Sequence, residues 1–349
     1  MRIGVPRETK DGERRVGLAP AQIRALVDAG HEVHVESGAG FGIGVTNGDY
    51  AQAGATVGDA ASAWASELVV KVKELQPGEA EGVGADSTVF SYHHLAGEPA
   101  RTREMASRGL TAIAYERVRD EQGGYPLLAP MSVMAGKIAV QVGAHLMSQQ
   151  QGGAGTLLSG ATGSEPARVL VLGAGHAGSN AARLAAAMGA NVTVLCRSER
   201  TRDALRNTLG ATATIDIATP ESIEAAALSA DLVVGAVFIP ATPTPKLLPR
   251  TLVARMKRGA VIVDISIDAG GVAETSRPTS HAEPTFVKEG VVHYCVANMP
   301  AAFAKSGTHA LASAVLPYVL ELAGKGIENA VRDNSALRAG VVIWKGVPA

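Results

Sequence analysis

The stretch VLVLGAGHAGSNAARLAAAMGANVTVLCRSER, Val169–Arg200, decides how the chain is read. An apolar, β-branched run ends on Gly173, an Ala-rich helical pattern follows, and a second apolar run, NVTVLC, begins about twenty residues on. Gly173, Gly175 and Gly178 fit G-x-G-x-x-G in the strand-to-helix setting that pattern requires. Glycines there permit a tight turn, close approach of backbone to a pyrophosphate, and close helix–strand packing, with a helix N-terminus facing the phosphates. Gly173, Ala174, Gly175, His176, Ala177 and Gly178 are therefore expected to cradle a dinucleotide. His176 is read as a loop side chain beside the phosphates or in solvent, not as a catalytic group. The second strand of such a unit normally ends on Asp or Glu, which holds the ribose diol and repels a 2′-phosphate. Here the position is Cys196, followed by Arg197 and Ser198. A guanidinium pairs with phosphate in bidentate fashion and stacks on adenine. The cofactor is NADP or NAD: Cys196 and Arg197 favour NADP, and NAD stays open through the other contacts.

Working outward, short β-branched runs alternate with Ala/Leu-rich helical patterns from end to end, which predicts an α/β protein with parallel sheets. RIGVP, EVHVE, LVVKVKE, STVFSY and TAIAYE supply strands before the glycine motif. RVLVLGAG, NVTVLC, TATIDI, DLVVGAV, AVIVDIS and VVHYCVAN supply about six more, the number of a complete doubly wound dinucleotide domain. The predicted architecture is two doubly wound parallel-sheet domains. Residues 1–130 and 300–349 form a discontinuous substrate domain. Residues 131–299 form a Rossmann dinucleotide-binding domain that includes a linking helix, 131–150. The apolar run HALASAVLPYVLELAGKG is expected to pack back on the first domain.

Bulk properties narrow the function. A chain of 349 residues suits two domains rather than one core. A net charge of −1 offers no basic surface for nucleic acid or an anionic membrane. Two cysteines without metal spacing point to a reducing compartment and to no metal site. The N-terminus MRIGVPRETK has no apolar leader pattern, and no run reaches a spanning length free of charge, so a cytoplasmic protein is expected.

In open α/β sheets the ligand sits beyond the carboxyl ends of the strands. Charged groups expected there are those of the loop after RIGVP, Lys71 and Lys73, His93 and His94, Asp264 and Asp268, and Asn298. Period-two alternation puts Lys71 and Lys73 on one face and His93 and His94 on opposite faces. Asp264 lies deep in its strand and reads as structural, whereas Asp268 precedes Ala-Gly-Gly and is better exposed. Cations for a carboxylate, an imidazole and a carboxylate beside a dinucleotide suit a 2-oxo or 2-amino acid.

Several longer stretches then carry a resemblance. RIGVPRETKDGERRVGLAP, VVKVKE, LLAPMS, GAGHAG, ADLVVGAVFIPATPTPKL, VDISIDAGG, SRPTSHAEPTF and YCVANMP together resemble the alanine dehydrogenase family over most of the chain. The wider superfamily includes the NAD-binding domain of proton-translocating transhydrogenase and saccharopine-type dehydrogenases. The resemblance implies that Arg15 binds the substrate carboxylate, that Lys73 contacts the substrate, that His94 is the acid/base, and that Asp268 is the other catalytic residue. It places Tyr92 and Met131 in the substrate pocket, and Asn298 at both substrate and nicotinamide. It places Ser132, Val237, Cys196, Arg197, Ser198 and Asp268 along the cofactor. The implied reaction is reversible oxidative deamination of L-alanine or a related small 2-amino acid, with the 2-oxo acid and ammonia as partners. The alternatives are a transhydrogenase-type NAD(P)-binding subunit and a saccharopine- or opine-type dehydrogenase of specialised metabolism. The chain departs from the family at Cys196, where Asp is usual, and at Val133, where Glu is usual. YHHL stands in place of FLHL, and the chain ends on GVVIWKGVPA without the usual tail. A homo-oligomer, dimer to hexamer, is expected, the missing tail favouring the smaller assembly.

Overall fold

Runs of Val, Ile and Leu buried on both faces become strands of two mostly parallel sheets, because a parallel sheet hides both its faces under helices. The computed structural model describes residues 1–95, 98–239 and 242–349. It divides into two units, Met1–Met131 with Ala301–Ala349, and Ser132–Pro300.

The first unit contains β1 (Arg2–Val5), α1 (Pro20–Asp28), β2 (Glu32–Glu36), α2 (Asn47–Gln52), β3 (Thr56–Gly58), α3 (Ala60–Trp64), β4 (Leu68–Val70), β5 (Thr88–Ser91), α4 (Pro99–Ser107) and β6 (Thr111–Ala114). Helix α5 (Ala129–Leu146) follows. The second unit continues with β7 (Arg168–Leu172), α6 (His176–Ala187), β8 (Asn191–Cys196), α7 (Glu199–Leu209), β9 (Ala213–Ile217), α8 (Pro220–Ser229), β10 (Leu232–Gly235), α9 (Arg250–Val253), β11 (Val261–Asp264), β12 (Thr285–Lys288) and β13 (Val291–Tyr294). The chain then completes the first unit with α10 (Ala304–Lys325), α11 (Ile327–Asp333), α12 (Ser335–Gly340), β14 (Val341–Trp344) and β15 (Val347–Pro348).

The first sheet runs β15-β14-β6-β5-β4-β1-β2-β3 and the second β12-β13-β11-β10-β7-β8-β9. Both are wound outward from a central pair, β1 and β4 in one, β7 and β10 in the other. Each therefore has a switch point where the chain reverses its direction of winding and leaves a crevice at the strands' carboxyl ends. Antiparallel pairing is confined to the edges, where β14 lies on β6, β15 on β14 and β12 on β13. The α/β architecture with parallel sheets is thus as the sequence predicted, with antiparallel edge strands added.

Local chemistry fixes where the helices start. Thr46 and Asp49 close a capping box on α2, Thr219 and Ser222 close another on α8 ahead of Pro220, and Ser198 caps α7. The linking helix differs from the expected 131–150. It begins at Ala129 and stops at Leu146, where the Ser148 hydroxyl donates to the His145 carbonyl (2.8 Å) and Ser148 itself turns extended. Among the described residues no single helix is long and apolar enough to cross a membrane. One bent pair, Met299–Lys325 with Ile327–Asp333, passes on length and composition, but α10 buries Leu311, Val315, Val319 and Leu322 in the core. Exposed ion pairs such as Arg255–Glu224 contribute at most about 1 kcal/mol each. A fully buried Leu, Ile or Val contributes about 1.5–3 kcal/mol, so burial carries this fold.

Candidate active site

In the first unit the loop after β1 folds back so that Arg15 is buried beneath it. Its Nε and Nη2 donate to the two oxygens of Glu13 at 2.7 and 2.5 Å, and the same carboxylate accepts from the Arg15 amide (3.0 Å). Burial disfavours the Arg15 charge, but Glu13 outweighs it and holds the guanidinium pKa above its ordinary value. Nη1 points at the Met131 sulfur, 3.0 Å away. A thioether is a weak acceptor, readily displaced by a carboxylate.

Strand β4 ends at Val70, one residue before Lys71, so the expected alternation through Lys71 and Lys73 does not govern them. Both are buried. Lys71 Nζ pairs with Glu79 (2.5 Å) and lies 3.7 Å from Glu8. Two carboxylates share this one ammonium in a dry setting. Desolvation, opposed by Lys71, pushes Glu8 up to about 7. Lys73 lies 5.9 Å over the Tyr92 ring. Burial lowers its pKa, with Glu74 opposing the fall and Lys10 and Arg15 adding to it. Glu74 accepts from Lys10 and is pulled down to about 2 despite its burial, first by that hydrogen bond and then by Lys73.

Beyond β5 the two histidines part. His93 is buried, its Nε2 3.2 Å from the Val89 carbonyl. His94 is exposed, sits in the left-handed region at φ 48, and stacks on Tyr92 with ring centroids 5.8 Å apart. Glu116, just after β6, accepts from the His94 amide (2.6 Å) and more distantly from that of His93, which pins the bend. Loss of surrounding water lowers the His94 pKa, Glu116 raises it, and Lys73 lowers it again. The Tyr92 hydroxyl donates to the Leu127 carbonyl (2.6 Å), which commits its proton to the backbone. Arg15, Lys73, Tyr92, His94 and Met131 are thus neighbours. A cavity of about 360 Å³ is lined by Arg15 alone among these five, together with Arg7, Glu8, Glu13, Arg14 and Phe41.

In the second unit Gly173 has φ +100, and a Cβ there would lie 2.4 Å from the Ala236 carbonyl oxygen. A Cβ on Gly178 would lie 1.9 Å from the Gly173 oxygen, so β7, β10 and α6 approach as closely as they do only because these positions lack side chains. Gly175 is the opposite case. Nothing lies within 4 Å of its missing Cβ, and it caps α6, whose first turn carries no acid. Open space at a positive helix end fits a pyrophosphate. His176 is the first residue of that helix and is exposed. Ala174 and Ala177 are partly buried on either side of Gly175 and His176. Cys196 ends β8, buried and donating to the Ser198 carbonyl (3.5 Å), with its thiol pKa raised by burial. Arg197 and Ser198 are exposed.

After β10 the Val237 amide donates to the Ser266 hydroxyl (2.9 Å). Asp264 is fully buried, and Asp268 stands exposed on the short 3-10 turn Ile265–Ala269. Asn298 is partly buried with left-handed backbone, φ 54, and Ser132 is partly buried in α5. A second cavity, about 390 Å³, lies at the amino ends of β7–β9 beside Asn191, Thr193 and Thr214. It is on the wrong side of the sheet for a dinucleotide and holds no acid/base group. Among the described residues no group of three or more His, Cys, Asp or Glu is placed to hold a metal.

Glu74 and Glu116 go unread in the sequence, and Glu13 enters there only as one charge of the loop after RIGVP. Glu13 lies two residues from its partner and Glu74 adjoins Lys73, so an acid beside each cation was the available signal. Glu116 is 22 residues from His94, and only strand order joins them.

Two family models match the chain: alanine dehydrogenase/PNT, N-terminal domain, over residues 4–135, and alanine dehydrogenase/PNT, C-terminal domain, over residues 139–348. Alanine dehydrogenase of Halomonas elongata is 47% identical over 348 residues, covering 99% of this chain and 94% of that protein. The Mycobacterium tuberculosis alanine dehydrogenase is 46% identical over 349 residues with the same coverage. A solved L-alanine dehydrogenase superposes with a TM-score of 0.97 at 43% identity, over 100% of this chain and 97% of that one. The transhydrogenase from Sinorhizobium meliloti has a TM-score of 0.88 at 23% identity over the full length of both chains, and so shares the fold. The chain belongs to the alanine dehydrogenase/PNT family.

Proposed function

We propose that this enzyme oxidatively deaminates L-alanine to pyruvate and ammonia, reversibly, with a nicotinamide dinucleotide. The observation that carries the reading is the cluster of Arg15, Lys73, Tyr92 and His94 beyond the strands of a unit whose relatives are alanine dehydrogenases. Arg15, already oriented by Glu13, takes the substrate carboxylate in place of the Met131 sulfur. Lys73 donates to the carbonyl or carbinolamine oxygen. Tyr92 and Met131 wall the substrate, and the family resemblance assigns Asn298 to substrate and nicotinamide. His94 accepts and returns the proton at its ring nitrogen. Asp268 stabilises the cationic intermediate and orients ammonia or water. A bound nicotinamide supplies the hydride acceptor, and in the amination direction the donor.

The loop Gly173–Gly178 would hold the pyrophosphate. Ser132 and Val237 line the cofactor, and Cys196, Arg197 and Ser198 receive the adenosine ribose. A buried neutral thiol at Cys196 neither holds a ribose diol nor repels a 2′-phosphate, and the exposed Arg197 suits that phosphate, so NADPH serves at least as well as NADH. We also place the enzyme in the cytoplasm as a homo-oligomer. Absorbance at the reduced-nicotinamide band, with a panel of 2-oxo acids, ammonia, and NADH and NADPH in turn, tests the reading. Fastest turnover on pyruvate supports it. No turnover on any 2-oxo acid with either cofactor overturns it.

A further inference from the structure

Asp268 stands on the turn Ile265–Ala269, and the chain leaves that turn through two consecutive left-handed glycines, Gly270 at φ +100 and Gly271 at φ +79. Ile267 anchors the turn in the core, but the two glycines that leave it have no side chains to pack, and hydrogen bonds hold that stretch in shape. From the core side, buried Asp264 supplies them. Its Oδ1 accepts from the Ser266 amide (3.2 Å), and its Oδ2 accepts from the Val272 amide (2.8 Å) and the Ser276 hydroxyl (2.6 Å). A Cβ on Gly271 would lie 2.6 Å from that same Oδ2.

From the outer side the segment 242–248 runs across the turn. The Thr244 amide donates to the Ala269 carbonyl and the Leu247 amide to the Val272 carbonyl, both at 2.8 Å. Between them, the Lys246 ammonium donates to three backbone carbonyls at once, those of Gly270, Gly271 (2.9 Å) and Ala273 (3.2 Å). An ammonium has three N–H donors on one nitrogen, which matches three convergent carbonyls. A planar guanidinium does not match them.

We propose that Lys246 is a positioning residue, whose ammonium fills a cage of three carbonyls and so fixes the turn that presents Asp268. The inference rests on the reading of Asp268 as a reacting group. Lys246 is assigned no contact with substrate or cofactor and acts through the turn. Its loss leaves the fold and the dinucleotide loop intact and lets the Asp268 carboxylate wander, and a misplacement of about 1 Å costs up to about 100-fold in rate.

Three measurements on the full-length enzyme test this. Lys246→Met is expected to lower kcat for alanine oxidation about tenfold, with KM for alanine and the dinucleotide dissociation constant little changed. Amide hydrogen exchange at Gly270–Val272 should speed up by about tenfold or more, while the strands of the same sheet keep their protection. Lys246→Arg should not restore the rate. Wild-type kcat in Lys246→Met overturns the proposal whatever the exchange does, and so does a slow Lys246→Met whose Gly270–Val272 exchange is unchanged. Asp268→Asn, measured alongside, separates the two readings. If it turns over normally, Asp268 is not a reacting group, and the proposal falls for that reason rather than through any failure of the cage.

Discussion

At His94 the backbone and the chemistry are set by one residue. Glu116 accepts the His94 amide and also opposes the desolvation that lowers the imidazole pKa. A general base whose pKa lies below its usual value stays neutral further into acid. The acid limb of kcat/KM for alanine oxidation should therefore fall below about 6.5, the ordinary imidazole value. Glu116→Gln keeps an acceptor for the amide but removes the charge that favours the imidazolium. It should shift that limb further to acid, and a shift toward alkaline pH would refute the assignment. His94→Ala should cost about 100-fold or more in kcat with the dinucleotide still bound, as titration of nicotinamide fluorescence would report. At Arg197 the relevant magnitude is that of a hydrogen bond to a charged group, about 1.5–3 kcal/mol, or roughly 10- to 100-fold in affinity. Arg197→Ala should raise the KM for NADPH by that factor and leave that for NADH unmoved. If neither KM moves, Arg197 is a solvated surface group.

Among the elements, the loop from β7 into α6 is tightly constrained. The Gly178 Cβ position lies 1.9 Å from a backbone oxygen, an atom that cannot rotate away, so Gly178→Ala must push α6 off β7. Overpacking of this kind costs about 1–3 kcal/mol and displaces the amides that would meet the pyrophosphate. Dinucleotide affinity, read by calorimetry, should fall at least tenfold, and unchanged affinity would mean that the helix start does not hold the phosphates. This loop was legible in sequence because everything it needs is local: an apolar strand, three glycines and a helix within twenty residues. The six strands VVHYCVAN and its predecessors were legible for the same reason. The edge strands β12, β14 and β15 were not: β12 and β15 fold back in antiparallel hairpins with β13 and β14, outside the parallel alternation, and β14 meets its partner β6 only from the far end of the chain. Lys71 and Lys73 continue the alternation past a strand that stops at Val70, because residue spacing does not announce where pairing ends. The grip of Glu13 on Arg15 and of Lys246 on the Gly270–Ala273 carbonyls depends on rotamers and chain crossings that no pattern of residue types encodes.

For the molecule as a whole, the buried charges of the first unit tie stability to pH. Glu8 has an ordinary pKa of 4.5 when exposed and about 7 when folded. The folded chain therefore keeps a proton that the unfolded chain releases. The contribution is full below 4.5, shrinks as pH rises toward 7, and is level above that. Its size is up to roughly 3 kcal/mol. Glu8→Gln should flatten this dependence. Trp64 and Trp344 both belong to the first unit, so urea unfolding followed by tryptophan fluorescence at pH 5 and pH 7.5 reads it directly. An unaltered pH slope would mean that Glu8 is ionised in the folded chain. The same unit has a history imposed by its topology. Strand β6 ends at Ala114, and the partner that covers its open edge, β14, starts at Val341. At about 5–20 residues per second, a ribosome leaves that edge bare for roughly 10–45 s. In that interval the whole second unit, Ser132–Pro300, emerges and has time to fold. The nascent chain therefore passes through a stage with its second unit complete and its first unit still missing a strand. During that stage a bare β-edge is open to pairing with a neighbouring chain on the same polysome.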